Sequence, residues 1–178
     1  VPPTLVITAV AHVPKADLTV TADLKEAGNV LILVGRTLPE FGGSHAAMVC
    51  NATSSCVPSF DEQSPDRYRS VHALMLQQKI RSCHDCSEGG IAVAVAEMAM
   101  AGRLGVAMLA HPDIYTHLFS ESLGRLILEV EDMHVHEVLS ALPSAQRIGT
   151  VTTTPFLVLP DNSALSIETM LNTWQAPQ

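Results

Sequence analysis

The chain is 178 residues long, 47% hydrophobic and 16% charged, which suits one domain able to bury a real core. Its formal net charge is −8 and it carries no cluster of lysine or arginine, which argues against nucleic acid or an acidic membrane as partner. It has no uncharged apolar run of about eighteen residues and no basic-then-apolar leader, so a soluble, cytoplasmic protein is expected.

In chain order, Leu5 to Val10 reads as a strand. The continuous apolar run Val30 to Val34 predicts a buried strand ended by Gly35. Gly42-Gly43-Ser44-His45 predicts a tight turn. It could cradle an anion, with Ser44 donating its hydroxyl, but it lacks the lysine of a phosphate-binding loop and offers nothing to hold magnesium. Residues 51–64 are rich in serine and proline and form a loop. Ser64-Pro65-Asp66 then starts a helix whose apolar face is Tyr68, Val71, Leu74 and Met75. A short strand is predicted near Arg81 to His84.

The most informative stretch follows: His84-Asp85-Cys86-Ser87-Glu88-Gly89-Gly90, a polar, acidic turn running into an alanine-rich apolar helix over Ile91 to Ala101. Gly89 and Gly90 permit unusual dihedrals and close backbone approach. Ser87 or Asp85 can accept hydrogen bonds from the first free helical N–H groups, and a helix start of this kind favours an anion such as phosphate. The plainer alternative is a well-capped core helix that binds nothing. Gly102 is the expected stop. His84 adjoins Asp85, but neighbours on a strand point to opposite faces, so the two are not expected to act as a dyad.

Cys83-His84-Asp85-Cys86 is formally a C-x-x-C. A zinc site would have to join it to Cys50 and Cys56, whose spacing is wider than structural sites use. Reduced thiols packing as small apolar groups are preferred over metal ligands, and a redox disulfide lacks the strand and helix context it needs.

Gly105 to Leu109 reads as a strand and His111 to Phe119 as a short helical connection. Phe119-Ser120-Glu121-Ser122 with Gly124-Arg125 sets a carboxylate and two hydroxyls beside a guanidinium; such a group could orient a sugar or phosphate, or form a salt-bridged turn. Arg125 to Val130 is a strand with Leu126, Leu128 and Val130 on one face and Ile127 and Glu129 on the other. Asp132 is expected to cap a helix bearing Val135, Val138, Leu139 and Leu142, closed by Pro143, with His134 and His136 exposed on its first turn. Ile148 to Thr152 and Phe156 to Leu159 suggest a terminal hairpin, followed by a helix from Ser163 to Trp174. The fold class is α/β (α+β): a mixed β-sheet covered mainly on one side by helices. No catalytic constellation is recognisable.

Several of these segments together resemble the phosphoribosylformylglycinamidine synthases of purine biosynthesis, within the AIR synthase-related superfamily. The match is to the C-terminal domain of their second, internally duplicated half. It is carried in order by Val1-Pro2-Pro3-Thr4-Leu5, Val20 to Leu31, Val34-Gly35-Arg36-Thr37 with Glu40-Phe41-Gly42-Gly43-Ser44, Cys83 to Gly105, Phe119 to Ser122 with Gly124-Arg125, and Ile148 to Val151. The resemblance implies that residues 1–17 are strand and linker from a preceding domain and that residues 18–178 are the domain itself. It implies an ATP-dependent carbon–nitrogen ligase of amidotransferase type that phosphorylates the amide oxygen of formylglycinamide ribonucleotide and lets glutamine-derived ammonia displace phosphate. ATP and magnesium are then cofactors of the full-length enzyme, and the fragment should require none.

The resemblance further implies that the reacting groups lie mainly in other domains of the synthase. This chain would be an inactive piece with a scaffold or auxiliary nucleotide-pocket role, and outside the enzyme its exposed apolar surface would favour a homodimer. The ligand-binding candidates are Gly42, Gly43, Ser44, His84, Asp85, Ser87, Glu88, Gly89, Gly90, Ser120, Glu121, Ser122 and Arg125, with no metal ligand. Related superfamily members (aminoimidazole ribonucleotide synthetase, selenophosphate synthetase, a hydrogenase maturation factor) are disfavoured by the Ser87-Glu88-Gly89-Gly90 and Ser120-Glu121-Ser122 segments. A ligand-free interaction module is the reading from another class. The first residue, Val1, is not methionine, so a longer parent polypeptide is expected.

Overall fold

The computed structural model describes residues 6–13 and 15–176. Among these residues there are seven strands: β1 (Val30–Val34), β2 (Ser82–Asp85), β3 (Gly105–Met108), β4 (Leu126–Val130), β5 (Ala145–Thr152), β6 (Phe156–Val158) and β7 (Ala164–Ser166). They form one sheet in the order β2-β4-β1-β5-β3-β6-β7. Every neighbouring pair is antiparallel except β3 with β6, so the sheet is mixed. Among the described residues six α-helices accompany it: α1 (His45–Val49), α2 (Ser64–Leu76), α3 (Gly90–Gly102), α4 (Ile114–Phe119), α5 (Val135–Ala141) and α6 (Ile167–Gln175).

The central strand explains the layering. All five side chains of β1 are at 0% exposure, because alternate residues serve different faces. Leu31 and Leu33 join the larger core with Ile91, Val95 and Met98 of α3, Leu118 of α4 and Leu171 of α6. Val30, Ile32 and Val34 join a smaller core with Val71 and Leu74 of α2 and Val138 of α5. Each such side chain contributes roughly 1.5–3 kcal/mol by leaving water. The larger helical layer lies on one face as expected; the smaller layer of α2 and α5 on the other is an addition to that picture. Between Leu31 and Ile32 the pairing with β5 slips by one residue, a bulge at Ile148.

Several local expectations are corrected. Val6 to Val10 is irregular and exposed, not a strand; Leu5 lies outside the described residues. Tyr68 is 44% exposed and leaves the apolar face of α2 to Val71, Leu74 and Met75. The left-handed residue that stops α3 is Arg103, at φ 56°, rather than Gly102. Gly102 serves close packing instead, since a Cβ there would lie 2.4 Å from the Leu24 carbonyl oxygen. Asp132 opens a short 3-10 turn that precedes α5 and makes no side-chain cap. The last helix begins at Ile167, with Ser166 as its capping residue, and residues 164–166 before it form β7.

The expected hairpin of β5 with β6 does not form, because β3 lies between them. The three residues after Thr152 cross over the start of β3 instead of turning back beside it. A Cβ on Gly105 would stand 1.8 Å from the Thr154 carbonyl oxygen and 2.6 Å from that of Phe156. Only glycine permits that crossing. β6 then pairs in parallel with β3 and forms its hairpin with β7. Among the described residues no helix is long and apolar enough to cross a membrane.

Candidate ligand site at the start of α3

The glycine turn does lead from β2 into α3, but its capping differs from the expectation. Neither Ser87 nor Asp85 caps the helix. Ser87 Oγ donates to Asp85 Oδ2 at 2.5 Å, which, against some burial and with help from the His84 charge, holds the Asp85 carboxyl below its ordinary range. The helix start is served by Glu121, whose Oε1 accepts from the Gly89 amide at 2.8 Å and from the His45 amide at 2.8 Å. One carboxylate oxygen thus ties the starts of α1 and α3 together, where positive partial charge favours an anion. Gly90, at φ 67°, fits because a Cβ would lie 2.5 Å from the Ser120 carbonyl oxygen.

Asp85, Ser87, Glu88, Glu121 and Arg125 line one cleft of about 420 Å³, with Tyr68 at its edge. Three carboxylates there face one guanidinium, and that guanidinium is engaged. Arg125, 1% exposed, donates through Nε to the Ser122 carbonyl at 3.0 Å, through one terminal nitrogen to the Ser120 carbonyl at 2.5 Å and through the other to Thr37 Oγ1 at 3.1 Å. Burial pulls its pKa down.

The remaining candidates are distributed around this core. Ser120 Oγ donates to the Leu38 carbonyl at 2.5 Å, and Ser122 Oγ accepts from the Leu38 amide at 3.0 Å. Both hydroxyls therefore hold the segment after β1. Ser44 caps α1 by accepting from the Ala47 amide at 3.1 Å, and Gly42 donates to the Cys56 carbonyl at 2.7 Å, which makes Gly42-Gly43-Ser44 a turn and cap.

His84 stands apart, in a second cleft with Met100, Arg103, Leu171 and Trp174. Its Nε2 is 3.0 Å from Glu97 Oε2 and its Nδ1 3.3 Å from Asp85 Oδ1. Neighbours on β2, the two side chains nevertheless approach each other at the strand's last residue, while the closer partner of His84 is Glu97.

Cys83 is half-buried and Cys86 buried, with Cys50 and Cys56 exposed. Burial first, then the Asp85 charge, pushes the Cys83 thiol up to about 12; burial does the same to Cys86 against the Arg125 charge. Such thiols are poor nucleophiles.

Two groups outside the ligand-binding candidates are part of the frame. Glu40, 4% exposed, accepts from the Ser59 amide at 3.1 Å and hydroxyl at 2.9 Å. Burial pushes its pKa up, but bonds from Ser122 and Ser59 and the Arg125 charge outweigh that and hold it low. Arg67 reaches Asp61, Ser64, Ser144 and the Gly124 carbonyl, fastening α2 to the turn before β4. Glu40 at least carried a signal, a charged residue between the apolar Pro39 and Phe41, whereas Arg67 lies in the charged run Asp66-Arg67-Tyr68-Arg69 and carried none.

A mixed sheet whose glycine turn feeds an alanine-rich helix, with a Ser-Glu-Ser segment closing over its start, defines the class. A family model described as "AIR synthase related protein, C-terminal domain" matches residues 26–161, and the chain belongs to that family. Its relatives are more particular. The phosphoribosylformylglycinamidine synthase subunit PurL of Alkaliphilus metalliredigens is 32% identical over 157 residues, 84% of this chain and 21% of that protein. The subunit of the same name in Methanocaldococcus jannaschii is 34% identical over 160 residues, again 84% and 21%. The chain spans about a fifth of the length of these relatives. Among solved structures, T. maritima PurL complexed with FGAR superposes with a TM-score of 0.74 at 17% identity, covering 87% of this chain and 30% of that one. E. coli HypE gives 0.59 at 20% identity, covering 83% and 51%. These two likenesses concern the fold.

Proposed function

We propose that the chain is the C-terminal domain of the second half of a phosphoribosylformylglycinamidine synthase and serves that ligase as scaffold, not as its reacting site. The whole enzyme converts formylglycinamide ribonucleotide and glutamine-derived ammonia to formylglycinamidine ribonucleotide in the cytoplasm. ATP, with magnesium, supplies the phosphoryl group that activates the amide oxygen. The residues here do not fit a magnesium site: among the described residues no three His, Cys, Asp or Glu side chains are placed to share one metal ion.

The observation that carries the scaffold reading is Glu121. The helix start that would receive a phosphate is filled by the chain's own carboxylate, in a cleft lined by Asp85 and Glu88 as well. A nucleotide bound there through Gly89, Gly90, Ser87 and the Gly42-Gly43-Ser44 turn would have to displace that carboxylate and then meet two more. We assign residues 1–17 to an arm continuous with the preceding domain and residues 18–178 to the domain proper. Val6, Ile7 and Val10 are the exposed apolar side chains that a neighbouring domain of the synthase would cover.

The chain on its own is expected to show no ATP-dependent amidine formation from formylglycinamide ribonucleotide and ammonia. Turnover comparable to a complete synthase would sink the scaffold reading. Sedimentation velocity is expected to show a concentration-dependent dimer that Val6→Ser with Ile7→Ser and Val10→Ser weakens. A strict monomer at all concentrations would remove the arm from the interface.

A further inference from the structure

A third cleft, between the end of β1, the approach to α4 and the start of β5, takes no part in the reading above. It encloses about 480 Å³ and is lined by Arg36, Thr37, His111, Thr116, His117 and Gln146, with Asp113 as its one acidic residue. His117 is 4% exposed and stacks on His111, ring centroids 4.2 Å apart and planes 12° from parallel. Among the described residues its ring nitrogens have no hydrogen-bond partner, yet no buried polar atom is left enclosed and unpaired. The unpaired nitrogen therefore opens into the cleft. The ring is packed among protein atoms while this nitrogen is left to water or to whatever polar group enters the cleft.

The charges around it favour an anion. Arg36 lines this cleft and also the neighbouring one that holds Glu40, Asp61 and Glu62, where its charge helps hold Asp61 low, yet it makes no ion pair or hydrogen bond among the described residues. Thr37 Oγ1 accepts from Arg125 at 3.1 Å, so its own proton is left to donate onward, polarised by a guanidinium whose other bonds go only to carbonyls. Asp113 is turned to the helix, Oδ1 accepting from the Thr116 amide at 3.1 Å.

We infer that this cleft binds the oxyanion of a small molecule, a phosphate monoester or a carboxylate, with Arg36 pairing its charge and Thr37 O–H and the His117 ring N–H donating to it. Burial, reinforced by the charges of His111 and Arg125 against that of Asp113, brings the His117 pKa down to about 4. The ring is neutral at neutral pH and presents one donor without adding a charge. The site shares no lining residue with the cleft at the start of α3, so it stands or falls apart from the scaffold reading.

The test is NMR of the histidine ring signals of the chain, with His117 assigned through His117→Gln, titrated with inorganic phosphate, with acetate, and with sodium chloride at matched ionic strength. Saturable movement of the His117 signals is expected with at least one oxyanion. Preference for phosphate assigns a monoester, and preference for acetate a carboxylate. Arg36→Ala and Thr37→Val should each weaken binding by about tenfold or more, while Thr37→Ser keeps it. Arg36 is exposed, so its variant folds even if Thr37→Val does not. A drift equal to that caused by chloride, or saturation undiminished in Arg36→Ala, overturns the proposal.

Discussion

Replacing Glu129 by alanine is expected to cost about 3–5 kcal/mol of stability, enough to unfold a marginal domain. Glu129 sits in β4 at 0% exposure with its carboxylate in a nest of donors. Oε1 accepts from the Lys25 amide at 3.1 Å, the Glu26 amide at 3.0 Å and Asn29 Nδ2 at 2.8 Å; Oε2 accepts from the Lys25 amide at 2.9 Å and Ser82 Oγ at 2.9 Å. Among the described residues no cation touches it, and the carboxylate is held by oriented dipoles.

Removing that carboxylate strands four donors in a space closed to bulk water, and each unsatisfied donor costs about 1–3 kcal/mol before relaxation. The segment 25–29 and β2 then lose their common anchor on β4. Glu129→Gln keeps one acceptor oxygen but turns an NH2 group toward donors, so it should fall between alanine and the parent. The check is the urea midpoint at unchanged m. A shift worth less than about 1 kcal/mol for Glu129→Ala would show that the nest is solvated.

Glu129 also marks the border of what sequence reasoning could see. The run Leu126-Ile127-Leu128-Glu129-Val130 assigned it to the face opposite Leu128, and that is where it lies. What the run could not supply is the partner set, because three of the four donors come from residues about a hundred positions earlier and the fourth, Ser82, from 47 positions earlier. β1 was legible for the opposite reason: an unbroken apolar pentapeptide needs no partner list to be recognised as buried on both sides.

The same contrast holds at the glycine turn. Its place between β2 and α3 was readable from local chemistry, whereas the capping group was not: Glu121 lies about thirty residues downstream of the amide it caps, and nearby Ser87 and Asp85 were the only candidates that local rules could offer. The β5–β6 hairpin misled because a three-residue connection usually returns the chain beside itself. The contrary signal was Gly105, a bare backbone at a strand start over which another segment can pass. Arg36 and Thr37 stood only in a segment that carried the family resemblance and His117 in a plain helical connection, and only tertiary folding brings them to one cleft.

Stability is expected to fall as pH drops from about 6.5 to about 4, by up to about 3 kcal/mol, through one histidine. His117 has an ordinary value of 6.5 and a folded value of about 4, lowered chiefly by burial, then by the charges of His111 and Arg125, with Asp113 opposing. Because the folded value is depressed, the unfolded chain binds the proton more tightly than the folded one. The contribution is fully present above the unfolded value and is lost as pH falls toward the folded value. Carboxylates held low in the fold, Glu40, Asp61 and Asp85, keep theirs until pH falls to their ordinary values of 4.5 and 3.8, so the two losses overlap only at the acid end of this interval. Urea unfolding across this interval, in a buffer free of phosphate and carboxylate, should show the loss in the parent chain. His117→Phe, which keeps a stacked ring but cannot take a proton, should flatten it. An equal slope in parent and variant would place the titration elsewhere. With an oxyanion bound, the His117 N–H gains an acceptor, its folded pKa rises, and the acid loss shrinks, so the same titration with added phosphate reports occupancy of the cleft without following any ligand signal.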